Sequence, residues 1–495
     1  MSDRPLARSA SSLPAHRSEA VPSEALHRLD AATMAARVAK RELTTAALVE
    51  AALARIEEVN PAVNAVVRRM DDEARRAAEL ADRAVADGQP LGVLHGVPVT
   101  VKINIDQRGH PTDNGTALYQ DLVAAADNPV VANLRAAGAI VVGRTNAPVY
   151  SMRWFTDNTL HGATYNPWHR EYTVGGSSGG AAASVSSGMV PIAHGNDIGG
   201  SVRYPAFCNG LVGLRPSYGR VPSFNGTAKG AGSVASQLMA VQGPIARTVR
   251  DVELAFAAMA VPHIDDPRTG TMPAPLQPAP RRAAVLARST WPDCHPTAAR
   301  AVEQAAQALA AAGWDVVEAV PPGLDELHRM WAAITIPDLM SALEPVLPAA
   351  GDPNIVTAVA YWRQALGEFT AADGLAAVAR RHGLLRQWQR FLAGWPVIVM
   401  PTSLQPPFAR LADVESPAMA AQVMRAQAPL LAISVLGLPA LSVPTGLAGV
   451  DTVHGRIDLP TGVQLVAAPG REDLCFAAGF VVEAAMPRLC PIDPR

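Results

Sequence analysis

Apolar and polar residues follow two different periods along the chain, and these periods predict alternating helices and strands. Helical periodicity occupies residues 26–56, and residues 71–87, rich in Ala, Glu and Arg, predict a second helix. Strict alternation over residues 99–105 predicts a strand that places Lys102 on its polar face. A helix near residues 129–137 leads into a short apolar run typical of a buried strand. This first part of the chain therefore has the pattern of an α/β protein.

The remainder of the chain continues the alternation without repeats. Strand and helix signals alternate over residues 282–323, and residues 325–390 are mostly helical. Strand-like runs follow at residues 396–403, 433–446 and 462–468, before a helix at residues 472–485. We predict a single α/β domain over residues 26–495, built around a large sheet whose edge the segment 325–390 covers.

Composition narrows the class of protein. The formal net charge is −2, from 42 basic and 44 acidic residues, which gives no support to binding of nucleic acid or of an anionic membrane. Residues 1–25 are rich in Ser, Pro and Arg and hold no apolar run of the signal-peptide type, so they predict a disordered tail. Residues 429–450 carry no charge, but Pro and Gly interrupt them, and we interpret them as core. Four scattered cysteines predict reduced thiols in a cytoplasmic protein.

Residues 175–203, GGSSGGAAASVSSGMVPIAHGNDIGGSVR, are dense in glycine and serine yet lie between apolar segments. A flexible linker would explain the composition, but the strand-like and alanine-rich helical pieces inside it are not needed in a linker. Two glycines precede Ser201, so successive backbone N–H groups can converge beside its hydroxyl, as an oxyanion hole requires. Ser177 offers a second hydroxyl in a similarly permissive backbone.

Lys102 is a candidate base because lysine is rare in this chain. Only Lys40, Lys102 and Lys229 are lysines among the 42 basic residues. Arginine stays charged, whereas a buried lysine can become neutral and accept a proton. Taken alone, Lys102 fits a solvated strand residue and Ser201 an ordinary loop residue. That interpretation changes only when the two residues are considered with their spacing and with the family resemblance described next.

At these residues the sequence resembles the amidase signature family, from about residue 26 to about residue 483. The family's signature stands as GGSSGGAAASVSSGMVPIAHGNDIGGSVRYPAFCNGLVGLRPSYGRVP and its catalytic strand as GVPVTVKINID. RIEEVNPAVNAVV, VVGRTNAP, QGPIARTVRD, LGLPALSVPTG and TGVQLVAAPGRED are also similar. The resemblance implies an α/β/α fold with a large twisted mixed central sheet flanked by helices. It also implies hydrolysis of a carboxylic amide, with esters and carbamates compatible.

Position by position, the resemblance implies a triad of two serines and a lysine. Ser201 attacks the carbonyl carbon and forms an acyl-enzyme. Ser177, after a cis peptide bond from Gly176, relays the proton to and from Lys102, which is neutral at rest.

Further residues of the signature have supporting roles by the same resemblance. Asp197 and Arg203 brace the nucleophile loop, and Ser178 assists by hydrogen bonding. The backbone N–H groups of the oxyanion hole come from Ile198, Gly199, Gly200 and Ser201.

The substrate pocket is predicted to contain aromatic side chains. Trp154 and Phe155 precede the signature closely. Trp331, together with Trp362, Trp388 and Trp395, lies in or just after the helical segment 325–390, which we predict to cover the active site, and packing in the core would explain these four residues equally well. Gly176 completes this predicted pocket. Without HExxH, clustered His and Cys, or a phosphate-binding glycine motif, we expect no metal and no cofactor.

One position departs from the family. Many members carry Asp directly after the catalytic lysine, whereas this chain has Ile103. Alternation places Ile103 on the face opposite Lys102, so we expect catalysis to survive and the packing behind the strand to change.

Three alternatives stay open. Residues 175–179 also satisfy G-x-S-x-G, the nucleophile elbow of α/β-hydrolases, although HREYTV before it is a weak strand. The chain could instead be the amidase-like subunit of a glutamine-dependent tRNA amidotransferase. A non-catalytic binding protein with the same fold is the third alternative. As partners we expect a small amide substrate and no nucleic acid or membrane, with a homodimer left open.

Overall fold

The computed structural model describes residues 26–228, 230, 232–269, 278–286, 290–452 and 455–495. The predicted disordered tail, residues 1–25, lies outside this part of the chain, as does Lys229.

Strands and helices alternate along the described chain. The strands are β1 (Val66–Arg69), β2 (Pro98–Lys102), β3 (Ile140–Thr145), β4 (Ile192–Asp197), β5 (Val212–Arg215), β6 (Val241–Ala246), β7 (Arg282–Val285), β8 (Asp315–Glu318), β9 (Val397–Pro401), β10 (Ala440–Thr452) and β11 (Gly455–Ala467). The helices are α1 (Ala31–Ala39), α2 (Thr45–Val63), α3 (Asp71–Ala86), α4 (Pro129–Ala136), α5 (Gly179–Ser186), α6 (Arg203–Asn209), α7 (Val234–Met239), α8 (Val249–Met259), α9 (Pro296–Ala311), α10 (Leu324–Leu343), α11 (Pro353–Leu366), α12 (Ala371–Gly394), α13 (Ala412–Glu415), α14 (Pro417–Ala426), α15 (Ala428–Leu436) and α16 (Glu472–Ala485).

The eleven strands of the described residues belong to one mixed sheet, in the order β1-β3-β2-β4-β6-β5-β10-β11-β9-β7-β8. Strands β3, β2 and β4 are parallel, whereas β10 and β11 form a long antiparallel pair. Successive side chains of β9 enter different apolar cores, Ile398 on one face and Val397 on the other. The α/β fold with a large mixed central sheet flanked by helices is therefore confirmed.

Most local predictions agree with the elements. Helix α2 begins after Thr44, whose hydroxyl accepts the Ala47 N–H at 3.1 Å, and α16 has the predicted bounds. Two details differ. The strand predicted over residues 99–105 ends at Lys102, and the strand-like run from residue 433 begins as helix α15. An apolar run buried on all sides has no periodicity that separates helix from strand.

The order of the strands positions the functional segments. Because β2 and β4 are parallel neighbours, their carboxyl ends meet at one edge of the sheet. Lys102 is the last residue of β2, and the segment with Ser201 follows β4 directly.

Helices α10 and α11 belong to the segment predicted to cover the active site. Both supply side chains to the cavity that also contains Ser177 and Ser201.

Within the described ranges, no single helix is long and apolar enough to cross a bilayer. The pair α14 and α15 meets that test only jointly, across a bend of 56°.

Candidate active site

Lys102 meets Ser177 in the interior of the protein. The distance between Lys102 Nζ and Ser177 Oγ is 2.7 Å, and the Lys102 side chain is fully buried. The Gly176–Ser177 peptide bond is cis, as the resemblance implied. Burial lowers the pKa of Lys102 well below its usual value, and the opposing effect of Asp197 is smaller. The favoured neutral amine can accept a proton from Ser177.

Ser201 lies on the turn between β4 and α6. Its side chain lines the same cavity as Ser177, and its carbonyl accepts the Ser178 N–H at 3.2 Å. The two serine segments are thus tied together through the backbone. Within the described residues the Ser201 hydroxyl has no hydrogen-bond partner, so it is available to a substrate carbonyl. Catalytic hydrogen bonds often tighten only in the complex with substrate.

The structure corrects the predicted set of oxyanion donors at Gly200. Its N–H donates to Asp197 Oδ1 at 2.8 Å and is therefore not available to an oxyanion. The other three predicted donors, the N–H groups of Ile198, Gly199 and Ser201, have no acceptor among the described residues. Gly200 is needed here for its backbone, because φ is +105° and a Cβ atom would lie 2.5 Å from Leu430 Cδ1.

Two tryptophans hold the backbone of this turn. Trp331 Nε1 donates to the Ile198 carbonyl at 2.9 Å, and Trp154 Nε1 donates to the Gly199 carbonyl at 2.9 Å. In a planar peptide unit the N–H points away from the carbonyl. The Ile198 carbonyl shares its peptide unit with the Gly199 N–H, so Trp331 orients one candidate oxyanion donor. The Gly199 carbonyl shares its unit with the Gly200 N–H, which donates to Asp197, so Trp154 fixes the turn and does not orient a donor.

Asp197 binds two buried arginines beside the turn that carries Ser201. Arg203 contacts its carboxylate through Nε and Nη2, each at 3.0 Å, and Arg215 contacts it at 3.2 Å. Burial alone would raise the pKa of Asp197, but the two guanidinium groups hold it well below its usual range. The carboxylate also accepts the N–H of Gly200 and of Val202, so the ion pair fixes the loop. This is the bracing role that the sequence assigned to Asp197 and Arg203; Arg215 was not anticipated.

His194 lies behind Lys102 but is not a base for either serine. Its Nδ1 accepts the Lys102 backbone N–H at 3.4 Å, and its Nε2 lies 2.8 Å from Gln242 Oε1. Burial lowers the pKa of His194 to about 3, so the ring is neutral at physiological pH. The nucleophile-elbow hypothesis, which needs a histidine, gains no support from these contacts.

The cavity beside the serines has a volume of about 350 Å³ and is mostly apolar. Trp154 and Trp331 line it as predicted, and Trp362 joins them with its ring centroid 6.2 Å from that of Trp154. Two predictions were wrong. Phe155 is buried in the core, and Gly176 packs against the backbone of residues 153–155, so neither lines this cavity.

Two asparagines near Lys102 were missed by the sequence analysis. Asn196 Oδ1 accepts a hydrogen bond from Lys102 Nζ at 2.7 Å, and Asn196 Nδ2 donates to Asn104 Oδ1 at 2.9 Å. Alternation had placed Asn104 on the face of Lys102, and Asn196 directly precedes Asp197 in the signature. The positions of both asparagines in the sequence could therefore have identified them. They were missed because a neutral amide side chain is not an obvious partner for a catalytic base.

Ile103 lies in the core next to a buried arginine. Its carbonyl accepts a hydrogen bond from Arg144 Nη2 at 3.0 Å, and the Ile105 carbonyl accepts another. Burial lowers the pKa of Arg144 to about 10.

Among the described residues, no group of three or more His, Cys, Asp and Glu side chains could hold a metal ion.

The α/β sheet brings two serine hydroxyls to one apolar cavity and a buried lysine into contact with one of them, an arrangement typical of serine-dependent hydrolases. Comparison with known proteins gives the family. The Amidase family model matches residues 47–476, so the chain belongs to the amidase family and hydrolyses carbon–nitrogen bonds of amides.

Similar proteins span nearly the whole chain. An indoleacetamide hydrolase of Bradyrhizobium diazoefficiens is 39% identical over 91% of this chain and 85% of its own length. One subunit of the glutamyl-tRNA(Gln) amidotransferase of Deinococcus deserti is 31% identical over 92% of this chain and 96% of its own length. The structure of a 6-aminohexanoate cyclic dimer hydrolase complexed with substrate is 27% identical, with a TM-score of 0.77, over 95% of this chain and 99% of the other.

Proposed function

We propose that this amidase hydrolyses a neutral amide with an aromatic acyl group, with indole-3-acetamide as the candidate substrate. An acyl-Ser201 intermediate and a Ser177–Lys102 proton relay carry the reaction. The observation that carries the mechanism is the 2.7 Å contact between the buried Lys102 Nζ and Ser177 Oγ. The substrate class is supported by the tryptophans of the cavity and by the indoleacetamide hydrolase that is 39% identical.

Acylation begins with Ser201 Oγ attacking the carbonyl carbon. The Ser201 proton passes to Ser177 Oγ as the Ser177 proton passes to Lys102 Nζ. The carbonyl oxygen becomes negatively charged, and the N–H groups of Ile198, Gly199 and Ser201 stabilise it. When the carbon–nitrogen bond breaks, the proton returns from Lys102 through Ser177 to the leaving nitrogen. The amine or ammonia departs and the acyl group stays on Ser201.

Deacylation repeats these steps with water as the nucleophile. Water attacks the acyl carbon and gives its proton to Ser177, which passes its own to Lys102. The ester bond then breaks, Ser201 Oγ takes the proton back, and the carboxylic acid leaves. Because only neutral Lys102 can start the relay, the rate rises with pH through the lowered pKa of Lys102. A rate that fell steadily above about pH 6 would contradict this base.

The cavity favours a neutral acyl group. Trp154, Trp331 and Trp362 form its aromatic wall, and Asn104, Ser151 and Gln242 are among its polar residues. Asp197 is the only charged side chain among the described residues that line it, and that carboxylate is already paired with two arginines. An acyl group with its own charge would have no counter-ion there.

This lining also separates the proposal from the amidotransferase alternative. Glutamine carries an α-ammonium and an α-carboxylate, and both need charged or strongly polar partners. The amidotransferase relative that is 31% identical keeps the alternative open to a direct test. We expect the isolated chain to hydrolyse indole-3-acetamide without partner proteins and to leave glutamine intact.

The experiment combines product analysis with active-site labelling. Indole-3-acetic acid and ammonia are measured after incubation of the wild type and of Ser201→Ala with indole-3-acetamide. In parallel, a fluorophosphonate probe is added and the intact mass is recorded. One adduct on the wild type and none on Ser201→Ala supports the nucleophile. Hydrolysis of glutamine without hydrolysis of aromatic amides would favour the amidotransferase instead, and an unlabelled wild type would favour a non-catalytic binding protein.

A homodimer and a cytoplasmic location stay predictions from the sequence. Sedimentation of the purified chain measures the first, and fractionation of the producing cell measures the second.

A further inference from the structure

The Asn196 side chain joins Lys102 to a line of neutral polar groups. Asn196 Oδ1 accepts from Lys102 Nζ at 2.7 Å, Asn196 Nδ2 donates to Asn104 Oδ1 at 2.9 Å, and Asn104 Nδ2 donates to Ser151 Oγ at 3.0 Å. Asn104 and Ser151 both line the substrate cavity. The line therefore runs from the candidate base to the cavity without a charged member.

The direction of these hydrogen bonds fixes the orientation of the lysine amine. Since Asn196 uses its Nδ2 to donate to Asn104, its Oδ1 faces Lys102, and an amide oxygen only accepts. Neutral lysine has two N–H bonds and one lone pair. With one N–H held by Asn196, the lone pair can face the hydroxyl proton of Ser177, which is the direction that proton transfer needs.

The remaining charged and titratable groups around Lys102 do not replace this contact. On β4, His194 is neutral and meets only the Lys102 backbone, while the Asp197 carboxylate is held by two arginines. On β3, Arg144 donates to backbone carbonyls. Among the described residues no carboxylate touches Lys102 Nζ, and its two side-chain partners are Ser177 and Asn196.

We infer that Asn196 is a positioning residue of the reaction: its amide oxygen, held by Asn104, takes one N–H of Lys102 and directs the Nζ lone pair to Ser177 without adding charge. The inference rests on the proposed Ser201–Ser177–Lys102 relay. An acceptor that carried a negative charge at the same place would hold the lysine protonated instead.

The test changes the charge of the acceptor and leaves its shape nearly unchanged. Asn196→Asp places a carboxylate in contact with Lys102 Nζ. An opposite charge this close raises the pKa of a lysine by about 1–3 units. The measured quantity is the rate of fluorophosphonate labelling of Ser201 between pH 5.5 and 10, read by intact mass. The acid limb of this profile is the range in which the labelling rate rises with pH. We expect it to move to higher pH by about 1–3 units in Asn196→Asp, and we expect most of the wild-type labelling rate to return at the alkaline end.

Two further variants make the result specific. Asn104→Asp moves the new charge one hydrogen bond away from Lys102 and should give a smaller shift in the same direction. Asn166→Asp is the matched control, because Asn166 is buried and bonds to the carbonyls of Thr173 and Cys208, outside the cavity lining. It should leave the position of the acid limb unchanged whatever it does to stability.

The outcomes separate this inference from the proposed function. If Asn196→Asp lowers the labelling rate by one factor at every pH, with the limb at its wild-type position, Asn196 only fills space and the inference is wrong. If Asn196→Asp does not accumulate as folded protein, Asn104→Asp replaces it as the test. A shift of its acid limb to higher pH then supports the inference, and a limb at the wild-type position contradicts it. A wild type that does not label at Ser201 would overturn the proposed relay itself.

Discussion

Replacing Trp331 by Phe tests whether its indole N–H positions the N–H of Gly199, one of the candidate oxyanion donors. The change removes the 2.9 Å hydrogen bond from Nε1 to the Ile198 carbonyl and keeps an aromatic ring in place. Trp331 is 6% exposed, so the carbonyl loses its partner in a nearly dry environment. A buried polar group without a partner costs about 1–3 kcal/mol. We expect that loss in the free energy of unfolding, together with relaxation of the turn that carries Ser201.

We expect kcat to fall as well, and loss of stability alone would not lower kcat in the protein that remains folded. A displacement of about 1 Å in a catalytic group can cost about 100-fold in rate, so we expect a 10- to 100-fold decrease in kcat. Because Trp331 also lines the cavity, KM is measured separately and the labelling rate of Ser201 is followed with a small fluorophosphonate probe.

Trp388 provides a matched control. Its Nε1 donates to the Pro322 carbonyl at 2.8 Å, and its side chain is fully buried, but it does not line the cavity. Trp388→Phe therefore loses a hydrogen bond of the same kind and should shift the urea denaturation midpoint similarly, with kcat unchanged. If Trp331→Phe and Trp388→Phe lose stability alike and both keep the wild-type kcat and labelling rate, the indole of Trp331 does not position the N–H of Gly199.

Three further outcomes follow from the same contacts. Asp197→Asn leaves two buried arginines without their carboxylate and should cost about 3–5 kcal/mol in urea unfolding; a loss below 1 kcal/mol would mean that the ion pair braces nothing. The lowered pKa of Lys102 means that the unfolded chain binds a proton that the folded chain does not, up to about pH 10.4. Stability of the wild type should therefore gain a component that rises with pH up to about 10.4, and equal slopes for Lys102→Met and wild type would contradict it. Ser177→Ala keeps the nucleophile but removes the relay, so fluorophosphonate labelling should slow by at least about 100-fold, and a wild-type rate would exclude the relay.

Local pattern was sufficient for much of the fold because many elements are amphipathic. The alternation of apolar and polar positions gave helix α3 to within a residue and placed Lys102 in a strand. It could not give the end of that strand, nor the helix α15, in which every residue from Pro429 onward is buried. Where all faces of a segment are buried, only the neighbouring elements decide between helix and strand.

The candidate site divides along similar lines. The signature and its spacing supplied Ser201, Ser177 and Lys102 as candidates. In the structure Lys102 contacts Ser177, and Ser177 and Ser201 line the same cavity. The sequence could not predict which backbone N–H groups are free to bind an oxyanion. Gly200 was expected to donate to an oxyanion, but the neighbouring carboxylate takes its N–H, and that depends on how the turn folds around the ion pair.

By itself, the sequence determined the family and the class of reaction and supplied the candidate catalytic groups, because these depend on residue types at fixed spacing. Only the tertiary structure shows why the pKa of Lys102 falls, since a solvated strand lysine keeps its usual pKa and burial disfavours the charged form. The same holds for Asn196, which lies far from Lys102 in sequence and meets it only because β2 and β4 are parallel neighbours. Proton affinity and hydrogen-bond partners depend on distance and burial, and a linear sequence contains neither.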